Sequence, residues 1–339
     1  MQVFCTDIFR DFFCKGSDCK DNCCKIGWDI EIDDKTYNFY KNLDSELGRK
    51  LISEIYEEEG CHYMGQKGGC PFMNEKGLCS VQLTYGEDKI SDICREHPRF
   101  YQWFGDYKEA GVGISCEKTC EMLINHPNHL EFVTFETDEE TDTLDYDEDV
   151  LEIVLNVRKY LFEIIQSDKF TLSQKLEFLK KSAEILQEGI DSGDLEEFSE
   201  NSKQVLETNP ENYAEVSQKT KDEFCRNVLD SLNGLEYMHN DFPEIVKKAS
   251  ENSDLISVQI TDFPYIWEHL TVYFVFRYFI NAVRDFEFVD KINFTLKSIT
   301  AIYLVLAEIG YEKGSLEKDD FIFAIKEYSK EIEYSDNDF

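Results

Sequence analysis

Eleven of the twelve cysteines fall in the first 120 residues, and CKGSDCKDNCC, residues 14 to 24, holds four of them. Cys225 is the lone exception. Thiols this dense must be disulfide staples, ligands of a metal or cluster, or small buried side chains. A chain of 339 residues can bury a stable core without staples. The N-terminus, MQVFCTDIFRDFF, has no basic segment leading into a continuous apolar one and does not read as a signal peptide. The expected compartment is therefore the cytoplasm, where thiols stay reduced. In that compartment a cysteine cluster binds metal or does chemistry.

The adjacent pair Cys23 and Cys24 is ill suited to a mutual disulfide but can ligate one centre. GGCPF, KGLC and CREHPR supply Cys70, Cys79 and Cys94 from loops with turn chemistry. A multi-loop clamp of thiolates is what zinc or an iron–sulfur cluster requires. No C-x2-C knuckle of the zinc-ribbon kind occurs. The irregular spacing favours a [4Fe–4S] cluster, with zinc as the alternative. His97 and His62 stand near cysteines as loop residues or ligands, whereas His126, His129, His239 and His269 read as structural.

The expected fold is α+β, mainly α: a loop-dominated, cysteine-rich N-terminal domain for a metal or cluster, then a helical domain. Residues 1–135 form the first and 150–335 the second. ETDEETDTLDYDED, within 136–149, cannot bury a face and reads as an acidic linker. Beyond it Val150, Val154, Val157, Leu161 and Ile164 recur at helical spacing. Thr171 with Gln174 reads as a capping box. Further helices are expected near 212–234, 242–252, 264–283, 290–310 and 316–333. In the first part GWDIEID alternates like a strand, and Asp33 or Asp34 can cap a following helix. The apolar run Leu270–Phe276 is too short to span a bilayer, so no membrane insertion is expected.

Acidic residues outnumber basic ones 70 to 35, a formal charge of -35. That disfavours nucleic acid, which needs a cationic footprint. It suits solubility, and also a lysine-bearing protein partner. Glycine-rich nucleotide loops, the G-x-S-x-G elbow and the H-E-x-x-H helix are all missing from the sequence.

FFCKGSDCKDNCCKIGWDIEIDDKTYNFY resembles the opening signature of the flagellin lysine-N-methylase (FliB-type) family. CPFMNEKGLCSVQLTYGEDKISDICREHPRF resembles its second signature and GISCEKTCEMLI its third, with Glu117 and Lys118 where the family has Pro-Glu and with Cys120 extra. RKYLFEIIQSDKFTLSQKLEFL and FPYIWEHLTVYFVFRYF resemble its helical half. The resemblance implies S-adenosylmethionine-dependent methylation of lysine side chains on flagellin, with a [4Fe–4S] cluster. Its implied ligands are Cys14, Cys19, Cys23, Cys24, Cys70, Cys79, Cys94 and Cys116. Cys5, Cys61, Cys120 and Cys225 fall outside the pattern. Eight thiols exceed the four one cubane takes, so either some only pack or a second centre exists.

Such chemistry needs a lysine amine without its proton, held in line with the sulfonium methyl. Trp28, Tyr37, Tyr40 and Tyr85 are candidate walls for a cationic ligand, and each is equally a core residue. The competing reading is a zinc- or iron-binding cysteine module that recruits partners without turnover. An electron carrier is a third, for which the helical half is larger than needed.

Overall fold

The computed structural model describes residues 1–65, 68–139, 146–213, 216–252, 263, 265–334 and 339. The N-terminal part holds more regular structure than its loop-like composition suggests. Seven strands occur among the described residues: β1 (Gln2–Thr6), β2 (Ile30–Ile32), β3 (Ile55–Glu58), β4 (Cys61–Met64), β5 (Arg99–Phe104), β6 (Tyr107–Val112) and β7 (Phe132–Glu136). Short helices lie between them: α1 (Asp7–Arg10), α2 (Asp34–Lys41), α3 (Glu46–Ser53), α4 (Ser80–Tyr85), α5 (Asp92–Glu96) and α6 (Glu117–Asn125).

The strands make two sheets. One has the order β5-β6-β1-β7 and the other β2-β4-β3. In the first, β1 lies parallel to β6 and antiparallel to β7. The β5–β6 hairpin turns at Gly105 and Asp106, and Gly105 takes φ +56°, as a two-residue turn demands. Gly111 has no side chain because the Phe100 ring lies across it; an added Cβ would stand 2.2 Å from that ring.

The remainder is helical: α7 (Glu148–Ile165), α8 (Leu172–Asp191), α9 (Leu195–Glu207), α10 (Gln218–Asn233), α11 (Asp241–Glu251), α12 (Ile266–Tyr278), α13 (Ala282–Asp285), α14 (Phe288–Lys313) and α15 (Lys318–Tyr328). The expected capping box starts α8, where the Thr171 side chain accepts from the Gln174 amide and Gln174 reaches back. The expected helix at 264–283 ends sooner, at Tyr278, in a 3-10 turn over Phe279–Asn281. Its first residue lies outside the described ones, as do residues 140–145 of the acidic stretch 136–149.

α14 is long and apolar enough, by length and composition, to cross a membrane. It packs against α8, α10, α11, α12 and α15, and a helix apolar all round is what such enclosure requires. One hydrophobic core joins these helices to the first sheet, taking in Ile8, Phe104, Val112, Ile114 and Leu123. Across that contact Arg158 of α7 forms a buried, bidentate ion pair with Glu109 of β6, with one N–O distance of 2.9 Å. A smaller core under the second sheet gathers Ile32, Tyr40, Leu51, Met64, Phe72, Val81 and Ile90.

Candidate functional site

The smaller core opens into a cavity of about 170 Å³, and all eight cysteines singled out from the sequence line it. The four set aside do not. Cys5 is buried in β1, Cys120 in α6 and Cys225 in α10, while Cys61 is exposed on β4.

Local structure explains how distant loops deliver these thiols. Cys14 and Cys19 flank a 3-10 turn at Gly16–Asp18, and Cys23 and Cys24 open another at Cys23–Lys25. The Cys70 amide donates to the Cys24 carbonyl at 2.6 Å. The loop from Cys70 closes on itself through a bridge between Met73 and Cys79. Cys79 is then the N-cap of α4, its sulfur accepting from the Gln82 amide. Cys94 sits on α5, whose cap Ser91 accepts from the Cys94 amide. Cys116 is the N-cap position of α6.

Glu117, which also lines the cavity, ties two of these pieces together. Its carboxylate accepts from Lys15 Nζ at 2.7 Å and from the amides of Lys20 and Asp21 at 3.1 and 2.9 Å. Asp21 reaches the other way, to Lys326 on α15 and Lys330 just beyond it, at 2.5 and 2.6 Å. Burial alone would raise the Asp21 carboxyl, but the two ammonium groups outweigh it and hold it below its usual value. The cysteine loop is thus fastened to both halves of the chain.

Most of the thiols are held protonated as the site stands. Burial lifts Cys19 to about 12 and Cys94 to about 11. Cys24 rises to about 12, chiefly through its hydrogen bond with Cys23. Cys70 rises chiefly through its bond with Cys24, and burial raises Cys79 and Cys116. Ligation would have to displace these protons, so a cation bound here binds more weakly as pH falls.

Three buried polar atoms beside the thiols lack a hydrogen-bond partner: Asn22 Oδ1, His97 Nε2 and Ser115 Oγ. All three residues line the cavity. Burial lowers His97 to about 4, with the Arg277 charge adding to the effect, so its imidazole is neutral at ordinary pH. Buried unpaired polar atoms beside eight thiols fit a site built around a bound, thiolate-ligated group. Among the described residues, no three His, Cys, Asp or Glu side chains converge closely enough to hold a single ion as they stand. The thiols line a space rather than meet at a point. That spread suits a polynuclear group better than a lone zinc at Zn–S of about 2.3 Å.

Of the candidate wall residues only Tyr40 faces this cavity. Trp28 stacks on Tyr334, Tyr37 stacks on His62, and the Tyr85 hydroxyl bonds Ser45 at 2.7 Å. Reading the sequence missed Asn22, Ser115 and Glu117. Each adjoins a cysteine, and that adjacency was the available signal. His126, His129 and His239 pair with Asp7, Glu268 and Glu331 away from the thiols. His269 sits between the carbonyls of Leu123 and Asn128.

A cavity lined by eight cysteine thiols, beside a small sheet and tied to the helical body through Asp21, is the candidate site of a mainly helical α+β protein. Residues 158–339 match the FliB lysine N-methylase C-terminal domain, and the chain belongs to that family. The matched region is the helical half and contains none of the cavity's cysteines. The chain is 28% identical over 127 residues to a lysine-N-methylase of Salmonella typhimurium, covering 35% of this chain and 31% of that one. The same figures hold for a lysine-N-methylase of Salmonella choleraesuis. The chain is also 28% identical over 127 residues to the flagellar biosynthetic protein FliU of Salmonella muenchen, of which 75% is covered. It thus matches about a third of the length of the two lysine-N-methylases. No solved structure matches the chain.

Proposed function

We propose that this chain is a protein-lysine N-methyltransferase that uses S-adenosylmethionine, acts on flagellin in the cytoplasm, and holds an iron–sulfur group in its cysteine cavity. The observation that carries the reading is the convergence of eight thiols and three unpaired polar atoms on one cavity, in a chain of the FliB lysine N-methylase family. The names of its relatives support lysine as the group methylated and a flagellar setting.

Cys14, Cys19, Cys23, Cys24, Cys70, Cys79, Cys94 and Cys116 are the residues that would hold the group. When bound, an iron–sulfur cluster supplies soft, Lewis-acidic iron. The protein's own residues do the rest. Glu117 keeps the 15–21 loop closed on α6. Its carboxylate is fully engaged, with Lys15 and two amides, so it orients the loop and is not available as a base. His97 offers a neutral ring with an unbonded nitrogen at the cavity wall, able to hold a polar group of a ligand without adding positive charge beside a sulfonium. An overall charge of -35 favours encounter with a lysine-bearing surface.

The test is equilibrium binding of S-adenosylmethionine to anaerobically purified protein, with S-adenosylhomocysteine as competitor. Saturable, competed binding is expected. If there is none in metal-loaded protein, the reading gives way to a cysteine module that recruits partners without turnover.

A further inference from the structure

A second cavity, of about 350 Å³, lies beside the first turns of α8 and α12. It shares no lining residue with the cysteine cavity, and its lining falls within residues 158–339, the part that matches the family's C-terminal domain. Three aromatic side chains, Phe170, Tyr265 and Trp267, stand in its wall. Two of the rings are braced from behind. Tyr265 stacks on His269 with centroids 5.9 Å apart, and Trp267 packs on Tyr303 at 6.0 Å.

Two carboxylates complete the lining. Glu268 is buried, its side chain 8% exposed, whereas Asp168 stands in solvent at the edge. His129 Nδ1 bonds one Glu268 oxygen at 2.7 Å. The other oxygen faces Lys175 Nζ at 3.9 Å, too far for a hydrogen bond. Among the described residues no protein group hydrogen-bonds that ammonium, although its side chain is only 11% exposed. Burial lowers Lys175, outweighing the two carboxylates that would raise it.

These features select one kind of cation. Carboxylates and aromatic faces both attract positive charge. An unmodified lysine ammonium brings three N–H donors, and this cavity leaves even its own Lys175 without a partner. Such a group would lose water here and regain no hydrogen bond. Each methyl that replaces an N–H removes part of that cost and adds apolar surface for the rings. Methylation keeps the charge, so a trimethylated ammonium retains the attraction and has no donor left to satisfy.

We propose that this cavity is a second binding site, which takes the methylated ε-ammonium of a lysine side chain against Phe170, Tyr265 and Trp267, with Glu268 and Asp168 as counter-charges. The occupant is the product of lysine methylation, so the site retains a protein already modified at one lysine while others are turned over. The inference rests on the proposed function only for the identity of that product.

The experiment is calorimetric titration of the full chain, purified anaerobically, with one short peptide carrying lysine or mono-, di- or trimethyllysine at its centre. Affinity should rise with methylation, by about tenfold from lysine to trimethyllysine. Trp267→Leu keeps an apolar side chain but removes the ring, and should abolish the preference. Trp267→Phe should keep it. Equal binding of the four peptides by the unmutated chain overturns the inference, as does an undiminished preference in a folded Trp267→Leu variant. If that variant does not fold, Tyr265→Leu serves in its place with the same expectation. Displacement of the trimethyllysine peptide by S-adenosylhomocysteine would make this the cofactor's own site and also overturn the inference. Peptide binding requires no methyl transfer, so the two readings fail separately. A chain that prefers trimethyllysine but binds no S-adenosylmethionine keeps this inference and loses the proposed function. A chain that binds S-adenosylmethionine but takes the four peptides alike does the reverse.

Discussion

Arg158 and Glu109 show what a single buried charge does in this protein. The guanidinium is almost entirely enclosed, and its partner carboxylate lies on a strand of the first sheet with no exposure at all. Two opposite charges so placed cost desolvation, which their mutual bonds offset. Removing one partner leaves the other unpaired in the core. Arg158→Met is therefore expected to destabilise the fold by about 3–5 kcal/mol in urea unfolding. Adding Glu109→Leu should recover part of the loss, and an unrecovered double variant would mean that the packing of Arg158 matters more than its charge. Neither residue stood out in the sequence, because one acid among 70 carries no signal until a fold selects it.

At the scale of elements, Asp33 serves two helices at once. One carboxylate oxygen accepts from the Thr36 amide at 2.8 Å and caps α2, and the other accepts from the Asp92 amide at 3.0 Å at the start of α5. Burial alone would raise this carboxyl, but these amide bonds outweigh it and hold it below its ordinary value. Its folded pKa is thus lower than its unfolded one, about 3.9. The stability it contributes is present above the unfolded value and lost as pH falls through the folded one. Asp33→Asn should flatten the acid limb of a urea-midpoint profile, and an unchanged limb would contradict this assignment. The cap itself was legible, because an Asp before a Tyr-bearing helix is a local signal. The Thr171–Gln174 box was legible for the same reason. The β5–β6 hairpin was not read, although Gly105–Asp106 between aromatic runs is a turn signal. β1 was illegible in principle: its five residues, QVFCT, are fixed by pairing with strands a hundred residues away.

For the whole molecule, the central question is how the cysteine part and the helical part act together. Asp21 supplies the most direct link, bonding Lys326 and Lys330 across more than 300 residues of sequence. The side chains of both lysines are nearly buried. Asp21→Ala would leave the two ammonium groups to share Glu327, at 2.9 Å from Lys330 and 3.7 Å from Lys326. A loss of about 2–4 kcal/mol is expected, along with faster proteolysis within residues 14–24 than in the rest of the chain. Equal protection in variant and parent would show that the loop is held by Glu117 alone. No reading of sequence finds such a contact. The eight cysteines, by contrast, were legible because thiols have few uses in such numbers, whereas their meeting on one cavity depends on where loops pack. The measurement that bears most directly on the account is transfer of labelled methyl from S-adenosylmethionine to flagellin by the anaerobically purified, metal-loaded chain, followed by mapping of the modified residues. Label on lysine ε-nitrogens, absent when the cavity cysteines are replaced by serine in a protein that stays folded, is the predicted result. Metal-loaded protein that transfers no methyl to any lysine, or that transfers it equally well without the cysteines, would contradict the account.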